Sequence, residues 1–377
     1  MSKILTVCHV TNEHPRYDTR IFHKMCKPLV EYGYKVILLC ADDEPEEVKD
    51  GVHVIPAAPK PESKMVRATK TVKALYRAAL QVNADIYHLH DPELIPLAGK
   101  LKRKKKTVVF DSHEDIPAQI LDKSWIPKPV RRIVSFGYSI MEKRVAKKLD
   151  YVITVSEPIT KRFSSYGVRT ETIHNYPLLQ EFPNLDTDSS EKENEEVFTF
   201  CFTGNISITR GMREMFSLME NIPARLITAG RIFINEDEEF MDHVEKHENV
   251  EFRGSYTRNG MVDIFNQSNA ALLLFLPIKN HLISLPNKLF EYMAGGLPIL
   301  ASNIPAWKPI FEKYSCGLQV DLQDPNAVEE AACYLMNNRD EAREMGRKGK
   351  EAVKKEFNWS AEFKKLTNLY EQITHSQ

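Results

Sequence analysis

Residues 184–211 read NLDTDSSEKENEEVFTFCFTGNISITRG, and the change of character at Val197 divides the chain in two. After Leu185 no apolar residue occurs until Val197. A run that polar buries nothing and reads as a linker over 184–196. Val197–Phe202 is then a short, almost wholly apolar strand, Gly204 a turn, and a helical pattern follows from 211 to 219. Strand, glycine turn and helix in that order open a new α/β domain.

Outward from this point the same rhythm runs in both directions. Upstream, strands are expected at Ile4–Val10, Val36–Cys40, Val52–Ile55, Ile86–Leu89, Val108–Phe110 and Tyr151–Val155. Helical patterns lie between them near 19–32, 64–82, 93–102, 128–148 and 157–165. Downstream, strands follow at Arg225–Ala229, Val250–Phe252, Ala270–Phe275, Pro298–Ala301 and Leu318–Val320, with helices near 237–247, 259–267, 287–294 and 325–337. The stretch 340–375 is helical with a break near Asn358. Continuous Val/Ile/Leu strands separated by helices are parallel strands buried on both faces. The expectation is two Rossmann-like, doubly wound domains facing a cleft, 1–183 and 197–355, with a terminal helix over 356–377 that packs back on the first. Ligands bind such sheets at the carboxyl ends of the strands.

With 42% hydrophobic and 27% charged residues the chain has enough apolar content for two cores, which excludes global disorder. No apolar run approaches the roughly 18 residues of a spanning helix, so a cytoplasmic protein is expected. Six cysteines form no CxxC pair and read as reduced thiols. The formal charge of −1 conceals an asymmetry: residues 1–180 hold 30 Lys and Arg against 21 Asp and Glu, a net of +9, which leaves −10 for the rest. The basic half peaks at Lys102–Lys106 and again at Lys143, Arg144, Lys147 and Lys148. Solvated helix faces explain this; so does peripheral contact with anionic lipid at an inner membrane face. Nucleic acid is not expected, because no aromatic residues interleave with the lysines.

The residues just after each strand carry the chemistry. Gly204 allows close backbone approach, and Arg210 stands beside a helix N-terminus whose free N–H groups and dipole favour an anion. Neither GxGxxG nor GxxxxGK[ST] is present, so this is not a dinucleotide fingerprint or a P-loop. A plain strand-to-helix turn with a surface arginine accounts for the same residues. In SLPNKLFEYMAGGLPI (284–299), Pro286 starts a short helix and Gly295-Gly296 ends it, with Lys288 and Glu291 on one face at i, i+3. Taken alone that is an exposed ion pair. A carboxylate beside an anion-binding helix end makes sense if it accepts hydrogen bonds from the two hydroxyls of a ribose. His88-Leu89-His90-Asp91 puts two histidines on one strand face, with His113 and Glu114 one strand later, a pattern that zinc sites use. The chain lacks the eightfold β/α rhythm of barrel metallohydrolases, and no metal is expected.

PNKLFEYMAGGLPILAS (286–302), with FTGN (202–205) and Arg210-Gly211 upstream and DSHE (111–114) in the first half, resembles the family 4 retaining glycosyltransferases of the GT-B fold, above all bacterial members that build surface polysaccharides. HLHDPELIPLA (88–98) and FNWS (357–360) resemble that group too. The resemblance implies that Glu291 binds the nucleotide ribose and that Arg210 and Lys288 hold the donor diphosphate. Gly204, Asn205, Leu285 and Asn287 would line the donor site, and His113 would lie close to the transferred sugar. Relatives often carry a basic residue where Asn205 stands, and many carry a glutamate where Ile283 stands. The polar loop after the first strand, with Asn12, Arg16 and Arg20, would shape the acceptor side, the two arginines as anion contacts.

The expected activity is metal-independent transfer of a sugar, with retention, from a nucleoside diphosphate sugar to a hydroxyl of a glycan or lipid-linked glycan. The nucleotide sugar is a substrate, and no cofactor is expected. A nucleotide-sugar epimerase or hydrolase, and a non-catalytic donor-binding subunit of a glycan-assembly complex, are the rival classes.

Overall fold

Fourteen short strands carry the two sheets of the computed structural model, which describes residues 4–122, 127–182, 197–233, 247–324 and 326–375. The expected linker 184–196 and most of the expected helix 237–247 lie outside the described residues. The chain divides into two units, Met1–Asn175 with Glu362–Gln377, and Tyr176–Ala361.

The first unit holds β1 (Thr6–Val10), β2 (Lys35–Ala41), β3 (Glu47–Lys49), β4 (Val52–Ala58), β5 (Ile86–Leu89), β6 (Thr107–Ser112), β7 (Tyr151–Thr154) and β8 (Thr170–Thr172). Their order is β3-β4-β2-β1-β5-β6-β7-β8, parallel except for the β3/β4 pair. β1 pairs β2 on one side and β5 on the other, so the strand order reverses between β1 and β5. Every residue of β5 and β6 is buried, as strands covered on both faces must be. The sequence expectation missed β3 and β8, which have only three residues each and present mixed polar faces.

The second unit holds β9 (Phe198–Thr203), β10 (Ala224–Ala229), β11 (Val250–Phe252), β12 (Ala270–Leu273), β13 (Ile299–Ser302) and β14 (Gly317–Val320). Their order, β11-β10-β9-β12-β13-β14, is all parallel and is the doubly wound order with its reversal between β9 and β12. All six residues of β9 are buried, and Phe200, Cys201 and Phe202 lie at the centre of one continuous core.

The unit boundary falls between Asn175 and Tyr176, ahead of the expected 183. Tyr176 explains the shift: its ring packs edge-on against Phe290 (4.7 Å) and Phe357 (5.4 Å) in the second unit's core. At the other end, helix Arg339–Lys355 is followed after a three-residue corner by helix Trp359–His375. Asn358 makes that corner. Its Nδ2 donates to the Val353 and Lys354 carbonyls, and its Oδ1 accepts from the Ala361 amide. One side chain thus closes one helix and caps the next. From Glu362 onward the last helix belongs to the first unit, burying Leu366, Leu369, Tyr370 and Ile373 at helical spacing. Tyr370 Oη lies 2.6 Å from His88 Nδ1 on β5.

Replacing Asn358 by Ala should therefore lower stability by about 1–2 kcal/mol. A reduced denaturant midpoint with an unchanged slope is the expected outcome; an unchanged midpoint would remove the capping role.

Candidate functional site

In the second unit the chain leaves β9 at Thr203 and turns at Gly204, whose φ of +131° is open to glycine and strained for other residues. Tyr292 fixes the strand end, its buried hydroxyl accepting from the Thr203 amide at 2.9 Å. A Cβ on Gly204 would lie 3.2 Å from Lys288 Cε and 3.7 Å from Arg210 Nη1, so both cationic side chains close over this glycine. Seven residues on, Gly211 has φ +79°, and a Cβ there would fall 1.9 Å from the Leu274 carbonyl oxygen just past β12. That contact draws the start of helix Met212–Asn221 to the place where the strand order reverses. Neither this helix nor Asn287–Ala294 has a side-chain cap at its N-terminus, so first-turn N–H groups stay available to a ligand.

Arg210 is half-buried and rests over the Phe275 ring at 5.6 Å. Its Nη1 donates to the Asn205 carbonyl at 3.3 Å. Burial pulls its pKa below the usual arginine value, and among the described residues no carboxylate pairs with it. Lys288 and Glu291 are not the exposed pair that spacing alone suggests. Glu291 is 7% exposed. Its two oxygens accept from Lys288 Nζ and Arg258 Nη1, each at 2.7 Å. Lys288 also donates to Tyr256 Oη at 2.9 Å, and Arg258 forks to Glu181 through Nε and Nη2. Burial alone would raise the Glu291 pKa; Lys288 and Arg258 outweigh it and bring it to about 2. His281 sits beside Phe275 (4.9 Å) with Nδ1 2.9 Å from the Leu276 carbonyl, its pKa lowered by burial. Leu285 packs on the core and Asn287 is exposed at the start of its helix.

The first unit has its own cluster at the β1/β5 reversal. Asp91, fully buried, accepts from Thr11 Oγ1 (2.7 Å) and the Asn12 amide (2.6 Å), and lies 2.7 Å from His14 Nδ1. Burial would raise its pKa, yet His14 and these donors lower it to about 2; His14, in spite of burial, is raised to about 9 by Asp91. One strand over, Asp111 is gripped by Arg20 through Nε (2.9 Å) and Nη2 (3.0 Å). His113 Nε2 stands 3.2 Å from Asp111 Oδ2, with His90 Nδ1 at 3.5 Å. His9, His88 and His90 stack in the sheet interior, centroids 4.5–5.2 Å apart, and burial holds all three below the usual histidine range.

Two glycosyltransferase family models cover most of one unit each. One, described as Glycosyltransferase Family 4, matches residues 19–176; the other, described as Glycosyl transferase-like, matches 211–368. The chain is a glycosyltransferase of the GT-B fold. An uncharacterised glycosyltransferase of Methanocaldococcus jannaschii is 20% identical over 292 residues, 74% of this chain and 71% of that protein. Among solved structures, sucrose-phosphate synthase from Thermosynechococcus elongatus superposes with a TM-score of 0.75 at 17% identity, covering 99% of this chain and all of that one. HepE of Anabaena, in complex with UDP and glucose, gives 0.71 at 10% identity, covering 98% and 100%. A UDP-forming trehalose-phosphate synthase from Burkholderia vietnamiensis gives 0.69 at 11%, covering 99% and 100%.

In this glycosyltransferase the structure gathers Gly204, Asn205, Arg210, Lys288 and Glu291 at one end of the second sheet, and it sets His113 directly after β6 in the first. The first-loop arginines go elsewhere. Arg16 is bound by Asp42 (2.6 and 2.8 Å) and Glu47 (2.5 Å), and Arg20 by Asp111. Both are buried with their charge matched inside the fold, so the expected anion contacts on the acceptor side give way to structural roles. Asn12 is buried too, its Nδ2 3.5 Å from the Arg67 carbonyl. The HxH pattern does gather ligand-type atoms: His9, His88 and His90, and His90, Asp111 and His113, each lie within 4.8 Å of one another. His9 Nδ1 and His90 Nε2 are, however, joined to each other at 2.9 Å, and Arg20 already neutralises Asp111. Tyr256, Arg258, Glu181 and His281 escape the sequence reading. They lie 10 to 110 positions from Glu291, and no local motif marks them.

Glu291 has a depressed pKa, so its stabilising pairs are complete above the unfolded carboxylate value of about 4.3 and are lost as pH falls toward 2. The Glu291→Gln protein should be less stable than wild type at neutral pH and lose less on acidification. Melting temperature followed from pH 7 to about 2.5 checks this; parallel curves would show that Glu291 does not carry the linkage.

Proposed function

We propose that this glycosyltransferase moves a sugar from a nucleoside diphosphate donor, with retained anomeric configuration and without a metal, to a hydroxyl of a glycan or lipid-linked glycan in surface-polysaccharide assembly. The observation that carries the reading is Arg210, a half-buried cation with no carboxylate partner among the described residues, set over Gly204 beside Lys288. A buried guanidinium without a counter-ion suits a ligand that brings the negative charge itself. The diphosphate would lie over Gly204 between Arg210 and the first turn of Met212–Asn221. Lys288 would exchange its bond to Glu291 for one to phosphate, which frees a Glu291 oxygen to accept from the ribose hydroxyls. Arg258 would keep that carboxylate in place and ionised.

In the step itself the C1–O bond to the diphosphate breaks, and the acceptor oxygen joins C1 on the same face. The acceptor proton passes to the departing phosphate oxygen. Charge thus grows on the leaving group, where Arg210, Lys288 and the helix N-terminus stabilise it. HepE, of similar fold, has been seen with UDP and glucose, which supports a nucleoside diphosphate sugar as the donor class.

Arg210→Ala should lower kcat on the order of 10²-fold, the effect of one lost donor to a developing anion. Glu291→Ala should mainly weaken donor binding. Wild-type kinetics in both would overturn the assignment. Product analysis with and without acceptor separates transfer from epimerisation or hydrolysis. A screen of nucleoside diphosphates by thermal shift identifies the base, since ligand binding to the folded state raises the melting temperature.

The same activity should survive a chelator, because protein cations meet the diphosphate charge. Activity abolished by chelator and restored by zinc or magnesium would defeat the metal-independent reading and revive the histidine cluster as a metal site.

A further inference from the structure

Helix Lys128–Ala146 has an unusual outer face. Inward it is anchored by Ser135, whose Oγ donates to the Pro117 carbonyl at 2.8 Å, and by Glu142 and Ala146 at helical spacing. Glu142 is buried and paired with Arg162. Outward, Ile133 is 72% and Phe136 69% exposed, with Val130 and Val134 close to half exposed. Leu121, on the neighbouring helix Ile116–Asp122, adds a fifth. Of the 16 exposed large apolar side chains among the described residues, these five fall in one small region. Scattered apolar residues are ordinary at protein surfaces; a cluster on one helix marks an interaction surface.

The charges around it select the partner. Lys128, Arg131 and Arg132 lie in the first two turns, and Arg144, Lys147 and Lys148 at the far end. Between Lys128 and Lys148 the one acidic residue is Glu142, which is buried. An apolar strip bordered at both ends by cations, with no exposed carboxylate on its own helix, matches the boundary between anionic headgroups and acyl chains. A second copy of the same face would set cations against cations in a two-fold arrangement, where self-complementarity is required. The lysine run 102–106 fits the role less well. Lys102 binds Asp150 through both oxygens at 2.8 and 2.6 Å, and Lys106 bonds Asn83.

We infer that the outer face of Lys128–Ala146, through Val130, Ile133 and Phe136 with their flanking basic residues, is a reversible docking surface for anionic membrane. The inference rests on the first unit alone and does not depend on the sugar-transfer reading.

The test is co-sedimentation of the full chain with phosphatidylcholine vesicles, with and without phosphatidylglycerol. Wild type should bind the anionic vesicles and be released by high salt, since exposed charges are screened within about 8 Å at physiological ionic strength. Ile133→Ser with Phe136→Ser should reduce the bound fraction on the order of tenfold, because both side chains enter the interface. Lys128→Ser with Arg132→Ser should weaken binding to anionic vesicles, and Lys104→Ser with Lys105→Ser should leave it unchanged. An unchanged melting temperature in each variant establishes that the fold is intact. No binding at low salt, equal binding to neutral vesicles, or full binding by the Ile133/Phe136 variant would each overturn the inference. So would a wild-type dimer that this variant dissociates, since the face would then belong to a second copy.

Discussion

A carboxylate as buried as Glu291 stays ionised because two cations reach it from different parts of the chain, Lys288 from its own helix and Arg258 from the helix after β11. Removing a charge from water costs several kcal/mol, and only close partners with good geometry offset that. The rest of the second unit's site is arranged around this requirement. Tyr256 holds Lys288 from one side, Glu181 holds Arg258 from the other, and Tyr292, next to Glu291 in sequence, pins the end of β9. The glycine turn and Arg210, which pairs with no carboxylate among the described residues, therefore adjoin a surface already fixed in place. Groups held in place in this way need little reorganisation when charge develops near them.

The first unit solves a similar problem differently. Asp111 is buried close to His88 and His90, which burial holds below the usual histidine range, and Arg20 grips it with a full positive charge. That is why the polar first loop, which looks free in sequence, is drawn into the fold. Its arginines are consumed by Asp42, Glu47 and Asp111, and its backbone by Asp91. His113 sits at the rim of this arrangement with 18% of its side chain exposed, in contact with Asp111 yet open to solvent.

The alternation of apolar runs and amphipathic stretches made both sheets legible, because parallel strands buried on two faces leave little freedom in composition. Val250–Phe252 and Ile86–Leu89 appear in the structure with the boundaries expected. β3 and β8 were invisible because three residues with mixed faces carry no periodic signal. In the site, Gly204, Arg210, Lys288 and Glu291 could be found since strand ends and helix starts have local marks. Arg258 and Glu181 could not, because their role depends on a long-range contact with no pattern of its own. Arg16 and Arg20 show the converse failure. A positive residue in a loop after a strand suggests an anion ligand, and only the fold reveals the carboxylate that already holds it.

The return of the last helix to the first unit bears on how the chain is made. Tyr370 reaches His88 across 282 positions, and the residues between include the whole second sheet. As the polypeptide emerges, the first sheet precedes the last helix by the length of the second unit, and until that helix follows His88 lacks its hydroxyl partner. Only when helix Trp359–His375, seventeen residues long, has been made can that contact form. Loop closure over such a span is entropically slow compared with local pairing. Completion of the first unit's core thus waits on a segment that the chain reaches only after the whole second sheet.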